Sequence, residues 1–201
     1  MTSSRLTSDR RGGFTLIEVL IALALIGLVF GNIFMVMDSS AKAFRAGVST
    51  TDVEFQADRT LDRIALALMA SCRDSLAPSA ESPLHSSSLT YETVLGLQDG
   101  AVVVGDPQRI EFTLLEGQVV WTENPALPGE RSVVWTNWVR DYLTGELPNG
   151  IDDNGNGLVD EKGLAFTIQG DRVEIRLALE REGPDKKPIT IVRETVVTCR
   201  N

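Results

Sequence analysis

"RRGGFTLIEVLIALALIGLVFG", residues 10–31, is the stretch from which the rest of the chain can be read. It opens a run of 24 residues, Phe14 to Met37, whose only charge is Glu18. At 1.5 Å per residue a helix of that length extends about 36 Å, more than the roughly 30 Å hydrocarbon core of a bilayer. Arg5, Arg10 and Arg11 precede the run and Asp38 follows it. The positive-inside rule therefore predicts a cytoplasmic N-terminus and export of everything after residue 38. A removable secretory signal has a shorter apolar core, with small residues after it at the cut. Here the small residues, Gly12 and Gly13, come first, so a cut after Gly13 leaves the helix attached. The order predicts an anchor with a trimmed leader.

Glu18 is the anomaly in that anchor. Close to a helix N-terminus the macrodipole favours a carboxylate by about 0.3–1 kcal/mol. Insertion scales charge an acidic residue near a helix centre about 2.5–3.5 kcal/mol. Either the side chain snorkels to the nearby interface or it finds a counter-ion. Gly27 and Gly31 add a G-x-x-x-G spacing that permits close helix approach in lipid.

Basic leader, glycine, phenylalanine, the TLIE block and a long apolar helix occur here in one register. This N-terminus resembles that of type IV prepilins and type II secretion pseudopilins, over about the first quarter of the chain. The resemblance implies that a prepilin peptidase cleaves after Gly13 and N-methylates Phe14. It implies that Glu18, then the fifth residue, pairs with the terminal amine of a neighbouring subunit. Its implied partners are other major and minor pseudopilins, and its implied place is the inner (cytoplasmic) membrane with a periplasmic body. "FQADRTLDRIALALMAS" (55–71) and the tail, "GLAFTIQGDRVEIRLALE" (163–180) with "RETVVTCRN" (193–201), are similar to J-type minor pseudopilins. That likeness implies a tip complex of a secretion pseudopilus. A minor pilin of a surface pilus or DNA-uptake system, or a tethered calcium-stabilised binding module, stand as alternatives.

Beyond Met37 no helix breaker except Gly47 appears before Ser71. Phe44, Val48, Thr51, Phe55, Leu61, Ile64 or Ala65, and Leu68 recur at helical spacing, which predicts a face covered by the body. One helix over 14–71, about 87 Å long, is expected. "SLAPSAESPLHSSSL" (75–89) reads as the loop that ends it. Then come "LTYETVLGL", "RIEFTLLEGQVVWT", "RSVVWT", "LAFTIQG", "RVEIRLALE" and "TIVRETVVTC", β-branched or alternating runs separated by Gly, Pro, Asp and Asn. A hairpin is expected across Glu116-Gly117. The predicted fold is α+β and pilin-like, a long helix packed against an antiparallel sheet. Its divisions are a leader (1–13), a membrane helix (14–37), an amphipathic continuation (38–72) and a β-rich domain (73–201).

The strongest polar signal of the body is "ELPNGIDDNGNGLVDEKG", residues 146–163. From Asp152, side-chain oxygens recur at relative positions 1, 3, 5 and 9: Asp152, Asn154, Asn156 and Asp160. Gly157 stands at the turning sixth position and the Leu158 carbonyl at the seventh. Hard oxygens so spaced on a tight loop predict a structural calcium site. Position 12 is Gly163 where an EF-hand has a bidentate glutamate, so Glu161 is the candidate substitute. A polar Asn/Gly turn without an ion is the alternative.

The formal charge of −9 becomes −11 once the leader's three arginines and one aspartate are gone, which disfavours nucleic acid as a partner. No Walker loop, dinucleotide fingerprint, HExxH or CxxC is present, so neither catalysis nor a small-molecule substrate is expected. His85, among serines in "SPLHSSSL", has nothing in the sequence to orient it. Trp135, Trp138 and Tyr142 (i, i+3, i+7) spell an aromatic stripe if helical, and otherwise core. Cys72 and Cys199 lack metal-site spacing and are the one candidate disulfide, worth about 4–5 kcal/mol by chain entropy.

Overall fold

The computed structural model describes residues 13–199; most of the leader, residues 1–12, lies outside the described residues. The chain falls into two units, one ending at Arg45 and the other beginning at Ala46. A single helix, α1 (Leu16–Met69), runs through both. Its span agrees with the expected 14–71 to within two residues at each end. Gly47 does not interrupt it: one glycine costs a helix about 1 kcal/mol, too little to break so long an element.

In the first unit every described side chain is exposed, and the helix is long and apolar enough to cross a membrane. Among the described residues nothing covers this apolar surface. Water is a poor solvent for it, and lipid or other helices are the natural ones.

The second unit is an α+β body. Strands β1 (Leu84–Ser86), β6 (Leu164–Gln169), β7 (Arg172–Glu182) and β8 (Pro188–Thr198) form one antiparallel sheet in the order β1-β6-β7-β8. Strands β2 (Ser88–Gln98), β3 (Ala101–Thr113), β4 (Gln118–Glu123) and β5 (Arg131–Thr136) form a second, in chain order. The strands are thus shared between two sheets instead of one. Their apolar faces meet in one core with the C-terminal half of α1, where Phe166, Ile175, Tyr91 and Ile110 are fully buried.

The helix face in that core is not the expected stripe. Val53, Ala57, Thr60, Leu61, Ile64 and Leu68 are buried, whereas Phe44 is 73% and Phe55 63% exposed, with Val48 and Thr51 exposed as well. Only the last turns of the stripe, from Leu61 onward, read correctly. Small Ala57 and Thr60 admit the close approach that bulkier phenylalanines would prevent. Polar tethers fix the same face: Gln56 Nε2 donates to the Trp135 carbonyl at 2.9 Å, and Arg193 Nε donates to Asp58 at 2.7 Å. Arg181 pairs with Asp52. Ile64→Ala is therefore expected to cost about 2–5 kcal/mol, whereas Phe55→Ser should stay within about 0.5 kcal/mol. Denaturant melts of the two variants check the assignment.

Two further differences have local causes. The Ser/Pro stretch expected as loop carries β1, which pairs Leu84–Ser86 with Phe166–Ile168. Residues 101–108, not read as strand, extend β3, and Asp99-Gly100 joins it to β2 with φ of 53° and 83°. Positive φ at both central residues marks the type I′ hairpin turn that Asp-Gly favours. The expected hairpin across Glu116-Gly117 is present between β3 and β4.

Candidate functional site

The N-terminal site begins with the start of α1. Thr15 precedes the first helical residue, and Glu18 is the third within it. Glu18 N–H donates to Thr15 Oγ1 at 3.3 Å. Glu18 Oε2 in return accepts the Thr15 backbone N–H at 3.0 Å and its hydroxyl at 3.1 Å. This reciprocal capping box satisfies donors that the first helical turn would otherwise leave open. The sequence reading gave Glu18 a place near the dipole; the structure adds that its carboxylate fastens the helix start. Among the described residues, Oε1 has no donor, so one oxygen stays open to a group from outside the chain. Gly13 and Phe14 lie just before the cap, both exposed and without helical structure. Such an uncovered, non-helical segment is what a peptidase needs to reach. Farther along, Asn32 Nδ2 donates to the Leu28 carbonyl at 3.0 Å, which removes a polar group from the apolar surface.

The second site is the 146–163 loop. Beyond Leu164, β7 continues without β6, and residues 138–140 take the open edge: Glu180 N–H donates to the Trp138 carbonyl at 2.7 Å, and Arg140 N–H to that of Ala178 at 3.0 Å. Leu143 then packs on Ala165 and Ala178, two small residues that leave room for the loop.

Asp152, the first of the candidate ligands, holds the turn through backbone donors. Its Oδ1 accepts N–H from Gly155 (2.7 Å) and Asn156 (3.1 Å), and its Oδ2 accepts that of Gly157 (2.7 Å). The Gly157 N–H, chiefly, holds the Asp152 carboxyl below the usual carboxylate range. Asn154 Oδ1 takes Asn156 N–H, and Asn156 Oδ1 takes Leu158 N–H. Both asparagine amides point their Nδ2 at Glu161 Oε2, at 3.1 and 2.6 Å. Glu161 is 0% exposed, and its Oε1 meets Arg176 Nη1 at 3.2 Å.

Asp160 turns elsewhere. Its carboxylate accepts the N–H groups of Asn149 and Gly150, so Glu161 and not Asp160 joins the two asparagines. Asp153 is likewise engaged with Leu147 N–H and Asn149 Nδ2. Among the described residues no three His, Cys, Asp or Glu side chains converge on one point. Any cation here would depend on amide and carbonyl oxygens as much as on carboxylates.

Glu146 and Arg176 belong to this site and were not singled out from sequence. Glu146 is only 4% exposed, yet neither carboxylate oxygen has a hydrogen-bond partner among the described residues. Burial, reinforced by Glu161, Asp153 and Asp152 and opposed by the Asn154 backbone N–H, pushes its carboxyl above the usual range. The two shifts act on stability with opposite signs. Asp152 contributes stability above its ordinary value, lost as pH falls through its depressed folded value. Glu146 favours the folded state only while protonated, and that contribution is lost as pH rises through its elevated folded value. In chelator at pH 7, Glu146→Gln should therefore raise the Tm, as a thermal scan would show.

The remaining candidates lie apart. Cys72 and Cys199 are unbridged, although Ser71 Oγ contacts Cys199 Sγ at 3.4 Å and so brings the two cysteine segments together. Burial raises the Cys199 thiol. No helix carries the aromatic stripe: Trp135 is in β5 and stacks on Trp121, centroids 6.4 Å apart, while Arg181 lies over Trp138 and Lys162 over Tyr142. Trp135 and Trp138 pack at the core margin. His85 sits in β1, where burial lowers its imidazole against the opposing pull of Glu161. Its buried Nδ1 has no partner among the described residues.

The family of the prokaryotic N-terminal methylation motif matches residues 8–31. No curated protein and no solved structure matches the chain.

Proposed function

We propose that this chain, a prepilin-type protein by its N-terminal methylation motif, is a minor pseudopilin, a structural subunit at the tip of the short filament of a type II secretion system. The motif implies processing by a prepilin peptidase at Gly13–Phe14 and assembly with other pilin-like chains. One observation supports assembly through α1, and the likeness of residues 55–71 and 163–201 to J-type minor pseudopilins supports the finer reading. Phe44, Val48 and Phe55 recur along α1 at helical spacing, and all three are exposed. Together with the bare apolar run before them, they make a stripe fit for the helices of neighbouring subunits. A monomer resting permanently in lipid has no use for two phenylalanines above the anchor.

In this reading Arg5, Arg10 and Arg11 keep the leader cytoplasmic, and the acidic body stands on the periplasmic side. Cleavage creates an amine at Phe14, and the open Oε1 of Glu18 receives the amine of an adjoining subunit. The subunit has no catalytic role, and a separate cytoplasmic motor supplies the work. Crosslinking in the native membrane, followed by identification of the captured chains, tests the proposal. Other pseudopilins and secretion components are expected. Capture of surface-pilus or DNA-uptake subunits would reassign the chain to a minor pilin, and a chain found without prepilin-type neighbours would overturn both readings.

A further inference from the structure

We propose that the 146–163 loop binds one calcium ion and that Glu146, six residues before the acidic repeat, is a ligand of it. Asp152, Asp153 and Asp160 are satisfied by N–H donors of the loop, and Glu161 by Arg176 and two asparagine amides. Glu146 is the exception. It is covered, neither oxygen makes a hydrogen bond of normal geometry, and Glu161, Asp153 and Asp152 all repel it, with the Asn154 backbone N–H as its one opposing influence. A carboxylate so placed calls for a cation, because burying an uncompensated charge is among the costliest things a fold can do.

The geometry also explains the departure from the EF-hand pattern. A Cβ on Gly163 would lie 1.8 Å from the Arg140 carbonyl oxygen, so no side chain can stand at position 12. The backbone at residues 138–140, pairing with the end of β7, occupies that space. The missing ligand must come from another part of the loop, and Glu146 lies beside it: Glu161, Asp153 and Asp152 are its charged neighbours, and a Cβ on Gly145 would be 3.9 Å from that of Asn154. The donor set is Glu146 through both oxygens, Glu161 Oε2, the amide oxygens of Asn154 and Asn156, and the Leu158 carbonyl, while Asp152 holds the turn with its three N–H donors. A half-turn of each amide gives the ion its oxygens in place of the Nδ2 groups now facing Glu161. Six or more hard oxygens on a deformable loop suit calcium; magnesium demands a stricter octahedron and keeps its waters.

Calorimetry and thermal scans of the full-length chain in detergent, with calcium chloride, magnesium chloride or chelator, test the proposal. One calcium per chain is expected at concentrations up to about 1 mM, with a rise in Tm that magnesium does not reproduce. Glu146→Gln should weaken binding at least about tenfold, since it removes a charged ligand, while raising the Tm measured in chelator. That reversal of sign separates a ligand from a merely structural residue. Asn154→Ala is the second variant, expected to lose affinity with the chelator Tm little changed. Absence of heat and of thermal shift would overturn the proposal, as would equal stabilisation by magnesium or unaltered binding by Glu146→Gln. None of these outcomes bears on filament membership, which rests on other residues.

Discussion

Glu18→Gln is expected to leave the chain inserted and cleaved but absent from assembled filaments. Glutamine at the third helical position still accepts the Thr15 N–H, so the capping box and the helix start survive the change. What disappears is the charge. Its local benefit from the helix dipole is only about 0.3–1 kcal/mol, too small to decide the fate of a membrane helix. A neighbour's amine left without its carboxylate in a nonpolar surrounding loses about 3–5 kcal/mol. At about 1.4 kcal/mol per factor of ten, incorporation should fall by roughly two to four orders of magnitude. The measurement is the share of mature chain found in crosslinked assemblies against the membrane pool. Normal incorporation would return Glu18 to the role of a helix cap that happens to snorkel.

Gly163→Ala should be the most damaging single methyl in the body. The added Cβ would lie 1.8 Å from the Arg140 carbonyl oxygen and 2.8 Å from its carbon, both backbone atoms. A side chain in the way can rotate; a backbone held on either side cannot. Gly163 donates its N–H to the Asp141 carbonyl, and its own carbonyl accepts Ala178 N–H at 2.7 Å. Relief thus requires moving residues 138–140 off the edge of β7 or breaking the entry to β6. Overpacking typically costs about 1–3 kcal/mol, and this case belongs at or beyond the upper end. Denaturant melts should show it, together with exposure of the Leu143, Ala165 and Ala178 cluster. A variant as stable as the parent would mean that the loop can leave the sheet at little cost.

The parts legible in the sequence were those in which local chemistry and final structure agree. A 24-residue apolar run has few alternatives to helix, and β-branched runs divided by Asp, Asn and Gly have few alternatives to strands. The face of α1 was misread because phenylalanines at helical spacing look like core, whereas the body meets Ala57 and Thr60. Packing chooses small residues where elements must approach, and periodicity alone does not reveal which stripe has a neighbour. Asp99-Gly100 was a readable hairpin signal; its strand escaped notice because Gly105 and Pro107 interrupt it. In the loop, Asp152, Asn154 and Asn156 could be found by spacing. Glu146 and Arg176 could not, since only the fold brings them to Glu161, and Gly163 became intelligible once the backbone beside it was known.

The most direct test is a zero-length crosslink between carboxylates and amines in the native membrane, read by peptide mass spectrometry. A bond from Glu18 of one chain to the processed amino terminus of another, at Phe14 or its counterpart in a different subunit, is the predicted product. A Glu18 peptide that links only within its own chain, or that occurs solely in unprocessed protein, would contradict it.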